Sequence, residues 1–167
     1  ALAKKMHETD YRGYLGSEGY IEIVMPLHLS MPAYDLFIES LSHYAKDNLS
    51  SALHLIEKAI SIEENEAIFH ILKGRCYKRM KKSKDALASF SRAVELNCHY
   101  YYPYFERAKL LHSMNRNDRA VRDFETAGEL LPSPSIMFLF GNLLMSEKEV
   151  GKARSVYEHA SLFNCRV

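Results

Sequence analysis

Residues 74–93, GRCYKRMKKSKDALASFSRA, carry the pattern that decides the fold. A small residue, Gly74, is followed twelve positions later by Ala86 and sixteen positions later by the large Phe90. Ala93 stands seven positions after Ala86. The same four-point pattern recurs through the chain at a period of 33 or 34 residues. One register kept over four copies predicts an internal repeat rather than an irregular domain.

Each column of this repeat keeps one class of side chain. The first small position holds Ser40, Gly74, Ala108 and Gly141. The two later small positions hold Ala52, Ala86, Ala120 and Ala153, and then Ala59, Ala93, Ala127 and Ala160. The large position between the alanines holds Ile56, Phe90, Phe124 and Tyr157. Small side chains at matching positions let two antiparallel helices approach closely. We therefore expect four nested helical hairpins.

Caps and breakers place the expected helices near residues 33–46, 49–62, 66–80, 83–96, 100–114, 117–130, 134–146 and 149–163. Ser133 before Pro134 is typical of a helix start, and Asn65 and Asn117 mark two further starts. Gly128 falls inside a helix, where glycine costs about 1 kcal/mol relative to alanine, so we expect another group to pack closely against it.

Residues 1–31 do not fit the repeat, and we predict that they form an N-terminal capping or linker segment. The stretch 20–29 has an alternation that fits either a short helix or a strand. We favour a helix, because a single strand would have no partner in an all-helical chain. Terminal repeats need an element that covers their apolar face.

The repeat resembles the tetratricopeptide-repeat family, whose unit is a helix–turn–helix of about 34 residues. The resemblance implies an all-α fold, a right-handed α-solenoid of about four repeats. These repeats would occupy residues 33–66, 67–100, 101–133 and 134–167, within a domain spanning 32–167. The chain departs from the family where it usually has a tryptophan, since that column holds Leu36, His70, Tyr104 and Met137.

Composition excludes several classes of protein. The 167 residues carry a formal net charge of +1, whereas a strongly basic nucleic-acid binder would show a larger excess. No stretch reaches the roughly 20 apolar residues that cross a bilayer, so we expect no membrane insertion. Three scattered cysteines do not suggest a disulfide framework. The chain begins with Ala1, so we expect a processed start or a piece of a longer protein.

No catalytic or metal-binding motif emerges from the sequence. His7 and Glu8 begin the pattern of a zinc-protease helix, but the second histidine would stand at residue 11, which is Tyr11. No Cys-x-x-Cys pair and no glycine-rich phosphate loop occur. We therefore predict that this chain has no cofactor, no metal ligands and no enzymatic activity of its own.

The family resemblance implies that the first helix of each hairpin lines a concave groove. A strip of aromatic residues beside a strip of basic residues suits an extended protein or peptide ligand with apolar anchors and acidic groups. The residues expected to bind it are Ile71, Arg75, Lys78, Arg79, Tyr102, Phe105, Lys109, His112, Phe138 and Asn142. Replacing Arg75 and Arg79 together by glutamate should weaken binding with little loss of thermal stability.

Family members that hold chaperone C-termini use a lysine and an asparagine in the first helix. Here Phe37 and Leu41 stand at those positions, so that carboxylate clamp is absent in its usual form.

The basic stretch from Lys73 to Lys84 leaves two alternatives open. It could be a solvated helix end, where cations complement the negative C-terminus. It could also be an RNA-binding surface, with neighbouring aromatic rings available for stacking. The near-neutral charge of the whole chain argues against a nucleic-acid partner. Homo-oligomer formation is compatible with the sequence.

A narrower resemblance rests on EAIFH at 66–70, YYPY at 101–104 and LLP at 130–132. These segments resemble the C-terminal tails of bacterial periplasmic zinc metalloproteases. The resemblance implies a tail that docks substrate or outer-membrane assembly machinery, in a periplasmic parent protein; without it we would expect a cytoplasmic protein. The protease motif HExxH is absent, so any peptidase activity would belong to a preceding part of such a parent.

Overall fold

The computed structural model describes residues 29–164, and all of the regular structure in that part of the chain is α-helical. The predicted capping or linker segment, residues 1–31, and the helix favoured within 20–29 lie outside these described residues except for residues 29–31, of which only Met31 is helical. None of the described helices is long and apolar enough to cross a membrane. The eight helices are α1 (Met31–Ala45), α2 (Leu49–Ile62), α3 (Ala67–Arg79), α4 (Ser83–Leu96), α5 (Tyr101–Ser113), α6 (Asn117–Leu130), α7 (Pro134–Ser146) and α8 (Val150–Asn164).

Consecutive helices form four hairpins, α1–α2, α3–α4, α5–α6 and α7–α8. Each helix packs mainly on its hairpin partner, and the second helix of each hairpin packs on the first helix of the next. Contacts made mainly between adjacent hairpins are the signature of a solenoid. The predicted all-α solenoid of four hairpins is therefore confirmed.

The small residues of the repeat are the points where helices approach most closely. Ala52, Ala86, Ala120 and Ala153 are all fully buried. A β-carbon added to Gly74 of α3 would lie 2.7 Å from Cε1 of Phe90 on α4. The side-chain size at these columns therefore sets the spacing of the two helices in a hairpin.

The first helix of each hairpin is followed, two residues after its end, by a residue with left-handed backbone. The residues are Asp47, Lys81, Asn115 and Lys148, with φ between 57° and 65°. In the second hairpin the Lys82 N–H donates to the Tyr77 carbonyl at 2.9 Å, and the Lys81 N–H donates to the Lys78 carbonyl at 3.0 Å. This paired arrangement satisfies the last carbonyls of the helix.

Not every predicted helix start is correct. Ser133 accepts a hydrogen bond from the Ile136 N–H at 3.3 Å, as expected for a capping residue. Asn65, however, is not a cap, because α3 begins at Ala67 after Glu66. The start predicted at Asn117 is correct, because α6 begins at that residue. The close packing expected at Gly128 is also absent, since the nearest atom to an added β-carbon would be 4.0 Å away.

Candidate functional site

The first helices of three consecutive hairpins, α1, α3 and α5, enclose a small pocket of about 140 Å³. We call it the basic pocket. Its lining residues are Tyr44, Arg75, Lys78, Arg79 and Glu106.

Arg75 forms the inner wall of the basic pocket. The residue is only 4 % exposed, and its Nη1 donates to the Tyr102 hydroxyl at 3.1 Å. Its guanidinium carbon lies 5.1 Å from the centre of the Tyr44 ring. Burial opposes the charge, but Tyr102, Tyr44 and Glu106 outweigh it and raise the pKa of Arg75. The guanidinium is therefore a fixed positive charge at the base of the pocket.

Arg79, one helical turn further along α3, forms the outer wall. Its guanidinium carbon lies 4.6 Å from the centre of the Tyr44 ring, and its Nη1 donates to the Tyr44 carbonyl at 2.9 Å. Its Nη2 lies 3.4 Å from Oδ1 of the exposed Asp47. The side chain of Arg79 itself is 37 % exposed. Arg79 thus remains accessible from solvent.

Glu106 is a buried carboxylate between two lysines. It is 3 % exposed. Lys78 Nζ donates to Oε2 at 2.9 Å, and Lys109 Nζ donates to Oε1 at 2.8 Å. Burial opposes ionisation, but the two ammonium groups outweigh it and lower the pKa of Glu106 to about 2.

Sequence reasoning missed Glu106, although its spacing held a signal. It stands four residues after Tyr102 and three before Lys109, so the three side chains share one face of α5. The Tyr102 hydroxyl donates to Oε1 at 3.4 Å.

Some residues predicted to bind a partner are instead part of the core. Ile71 is 1 % exposed and belongs to the hydrophobic cluster around Phe37 and Phe69. Tyr102 belongs to the same cluster. Both side chains pack within that cluster, and neither lines the basic pocket.

Burial also changes what the paired Arg75 and Arg79 substitution should do. A glutamate at Arg75 would place a second carboxylate in the buried cluster and lose the bond to Tyr102. For the Arg75 half of the double variant we therefore expect a marked loss of thermal stability, in place of the small loss expected from the sequence.

Lys109 and Phe105 lie beside the basic pocket. Lys109 Nζ stands 4.8 Å from the centre of the half-buried Phe105 ring. That ring in turn contacts Phe124 edge-on, with centroids 6.1 Å apart. His112, at the end of α5, is exposed and bonds through Nδ1 to Asn117 Oδ1 at 3.0 Å.

A second group of predicted residues lies on α7. Phe138 is 58 % exposed and Met145 is 47 % exposed. Asn142, between them, accepts a hydrogen bond from the Tyr157 hydroxyl at 2.7 Å. Positions 138, 142 and 145 share one face of a helix, so α7 presents an apolar face, which we define by Phe138 and Met145.

The basic stretch 73–84 does not form one surface. Lys73 pairs with Glu57 of α2 at 3.0 Å, whereas Arg75, Lys78 and Arg79 enter the basic pocket. The remaining lysines are exposed around the turn between α3 and α4: Lys81, Lys82 and Lys84.

No cluster of side chains suited to a metal ion occurs in residues 29–161. Cys76 is a free, buried thiol, and burial raises its pKa to about 12. Because the thiolate is the reactive form, Cys76 is inert as a nucleophile near neutral pH.

Comparison with known proteins points to the same repeat. Residues 67–97 match the family model described as tetratricopeptide repeat. Anaphase-promoting complex subunit 3 from Schizosaccharomyces pombe is 25 % identical over 112 residues, which is 66 % of this chain. The chain spans only 17 % of the length of that relative.

Solved structures agree on the fold. A structure of MamA has a TM-score of 0.72 at 16 % identity, covering 77 % of this chain and 75 % of that chain. The first tetratricopeptide-repeat domain of Spaghetti (RPAP3), bound to the HSP90 peptide SRMEEVD, has a TM-score of 0.68 at 18 % identity. That match covers 74 % of this chain and 99 % of that one. The chain therefore has the tetratricopeptide-repeat type of fold.

Proposed function

We propose that the chain is a protein-interaction module that binds an acidic segment of a partner at the basic pocket. The observation that carries the proposal is the imbalance of charge there. Three cations line the pocket with one carboxylate, Glu106, and that carboxylate is shared with a fourth cation, Lys109. Cations held at a partly buried site attract an anionic ligand more strongly than fully solvated ones.

The apolar face of α7 suits the rest of such a ligand. Phe138 and Met145 are large and exposed, and aromatic side chains are frequent anchors at protein interfaces. The basic pocket and the apolar face of α7 both lie on first helices of their hairpins, so we propose that a segment carrying an acidic residue and, further along, an apolar residue would reach both.

One structural neighbour supports this mode of binding. The Spaghetti (RPAP3) domain is bound to a peptide, SRMEEVD, that contains three acidic residues. The resemblance to that domain is limited to the fold. Phe37 and Leu41 stand where the family's carboxylate clamp has its lysine and asparagine. The acidic ligand of this chain would accordingly be held by Arg75, Lys78 and Arg79.

The proposal can be tested with synthetic peptides. We would measure, by fluorescence polarisation, a panel of twelve-residue peptides that combine glutamate or aspartate with one leucine or phenylalanine, and their glutamine and asparagine analogues. Acidic peptides should bind at least about tenfold more tightly than their neutral analogues, because the analogues lose the attraction to the cations of the pocket. A tenfold difference in affinity corresponds to about 1.4 kcal/mol of binding free energy. Arg79→Glu should weaken the acidic peptides by at least the same factor.

Arg122→Glu is the matched control, because Arg122 is exposed on α6 away from the pocket lining. It should leave peptide affinity unchanged. Equal affinity of acidic and neutral peptides, or an Arg79→Glu variant that binds as well as the original chain, would contradict the proposal.

Two earlier interpretations stay predictions. The metalloprotease-tail hypothesis rests on the resemblance of residues 66–70, 101–104 and 130–132, and the sequence that precedes residue 1 in the full gene product would test it. The RNA-binding alternative is weakened because the basic stretch is divided. Lys73 pairs with Glu57 of α2, three residues line the basic pocket, and the remaining lysines lie around a turn. Single-stranded RNA that binds at low salt and dissociates steeply with added salt would favour it.

A further inference from the structure

The basic pocket holds more hydrogen-bond donors than its neighbours use. A guanidinium has five N–H donors and an ammonium group has three. Within the described part of the chain, Arg75 donates to the Tyr102 hydroxyl and packs over the Tyr44 ring rather than pairing with a carboxylate. Lys78 uses one donor on Glu106. A pocket of about 140 Å³ leaves room for an acceptor group beside these donors.

The position of the two arginines favours a ligand with several oxygens. Arg75 and Arg79 lie one turn apart on α3, and both guanidiniums pack against the single Tyr44 ring, at 5.1 and 4.6 Å from its centre. Packing on a common ring restricts both side chains before a ligand arrives. Planar guanidiniums held in this way match the oxygens of phosphate and carboxylate groups.

The charge of the ligand distinguishes a phosphate from a carboxylate at this pocket. Glu106 already supplies a carboxylate to Lys78 and Lys109, and Asp47 meets Arg79 only at the exposed rim. One further carboxylate would bring a single negative charge and two oxygens. A phosphate monoester brings a charge of about −1.5 to −2 and three strong acceptor oxygens, which better matches the remaining excess of cations.

We infer that the basic pocket is a phosphate-binding subsite, which takes the phosphate monoester of a phosphorylated serine or threonine within the partner's acidic segment. This inference rests on the proposed function and specifies the chemistry of the same site. Arg79 and Lys78 would hold the phosphate at the mouth of the pocket, and Arg75 would face it from below.

The test titrates two small probes into the isotope-labelled full chain and follows them by NMR. The probes are N-acetyl-O-phosphoserine N-methylamide and N-acetylglutamate N-methylamide, at equal ionic strength and pH 7.5. The phosphoserine probe should give saturable shifts at the backbone amides of residues 75–79 and at the Arg79 side-chain Nε–Hε. Its affinity should exceed that of the glutamate probe by at least about tenfold.

Variants separate the guanidinium contact from general charge. Arg79→Gln should reduce phosphoserine affinity at least about tenfold, whereas Arg79→Lys, which keeps the charge but loses the planar donors, should reduce it by a smaller factor. Arg122→Gln should have no effect. Thermal unfolding of each variant, measured in parallel, verifies that it is folded, which the partial exposure of Arg79 leads us to expect.

Equal affinity for the two probes would overturn the phosphate inference and leave an acidic-segment site intact. Shifts that map outside residues 75–79 and α5, or phosphoserine binding that survives Arg79→Gln, would overturn it as well. Failure of the proposed function has a different signature, because acidic and neutral peptides would then bind alike whether or not they carry phosphate.

Discussion

Glu106 shows how one side chain can hold several cations in place. Its carboxylate is buried, and a buried charge is tolerated only when it is paired and hydrogen-bonded. Lys78 and Lys109 provide that pairing from α3 and α5, so the two helices are bridged at the wall of the basic pocket. The same ion pairs position Lys78 for a ligand, which links the stability of the fold to the geometry of the site.

Glu106 should make the stability of the chain depend on acid. Its pKa is about 2 in the folded chain, against an ordinary value of 4.5. Between these pH values the unfolded chain binds more protons than the folded one, so stability is lost as the pH falls through that window. We expect Glu106 to account for about 2 kcal/mol of lost unfolding free energy between pH 7 and pH 3.

Urea denaturation of the original chain and of Glu106→Gln at pH 7, 5, 4 and 3 measures this contribution. The variant should be less stable at pH 7, and the difference from the original chain should shrink toward pH 3. Glu125→Gln removes an exposed glutamate of α6 and is the matched control, with the original acid dependence retained. A Glu106→Gln variant as sensitive to acid as the original chain would disprove the assignment.

At the scale of the helix, the sequence predicted the hairpins, which close packing requires, but not the left-handed residues that follow the first helices. Small residues such as Gly74 and Ala86 must stand where helices touch, so the hairpins and their limits could be predicted within a few residues. The left-handed residue that ends each first helix could not, because lysine at positions 81 and 148 has no preference for that conformation.

The contact between Gly74 and Phe90 predicts opposite outcomes for two glycine substitutions. Gly74→Ala gains about 1 kcal/mol of helix propensity, but the new β-carbon would lie 2.7 Å from the Phe90 ring. Overpacking of this kind costs about 1–3 kcal/mol, so we expect a net loss of about 1 kcal/mol. Gly128→Ala meets its nearest atom only at 4.0 Å and should stabilise the chain by up to about 1 kcal/mol.

Urea denaturation of both single variants measures the difference. Gly74→Ala combined with Phe90→Leu should recover part of the loss assigned to overpacking, because leucine occupies less space than the ring. Stabilisation by Gly74→Ala equal to that by Gly128→Ala would mean that the helices move apart without cost, and that the small column does not set their spacing.

For the molecule as a whole, the repeat register predicted which cations line the site but not which of the predicted side chains are buried. Arg75, Lys78 and Arg79 follow from repeat positions. The burial of Ile71 and Tyr102 depends on how neighbouring hairpins cover one another, which no single repeat encodes. The contribution of Glu106 depends on helices of two hairpins meeting. A local sequence pattern therefore locates the face, and tertiary packing decides which of its side chains a ligand can reach.

Because each hairpin packs mainly on its neighbours within residues 29–164, stability should vary along the solenoid. The α3–α4 and α5–α6 hairpins are packed on both sides, whereas α8 packs on α7 alone to any substantial extent among the described residues. In a solenoid, stability is approximately a sum over repeats and their interfaces. Amides of α8 should therefore exchange by local opening, with a lower free energy than those of α4 and α6.

Native-state hydrogen exchange of the 167-residue chain at increasing, sub-denaturing concentrations of urea tests this gradient. Local opening exposes little surface, so exchange in α8 should depend weakly on urea, whereas exchange in α4 and α6 should accelerate with a slope near that of global unfolding. Ala153→Gly, at the α7–α8 contact, should speed exchange in α8 by an order of magnitude or more and leave α4 nearly unchanged. Equal protection and equal urea dependence in α4 and α8 would show that the hairpins unfold as one unit, and that interfaces between repeats are strong enough to override the one-sided packing of the last.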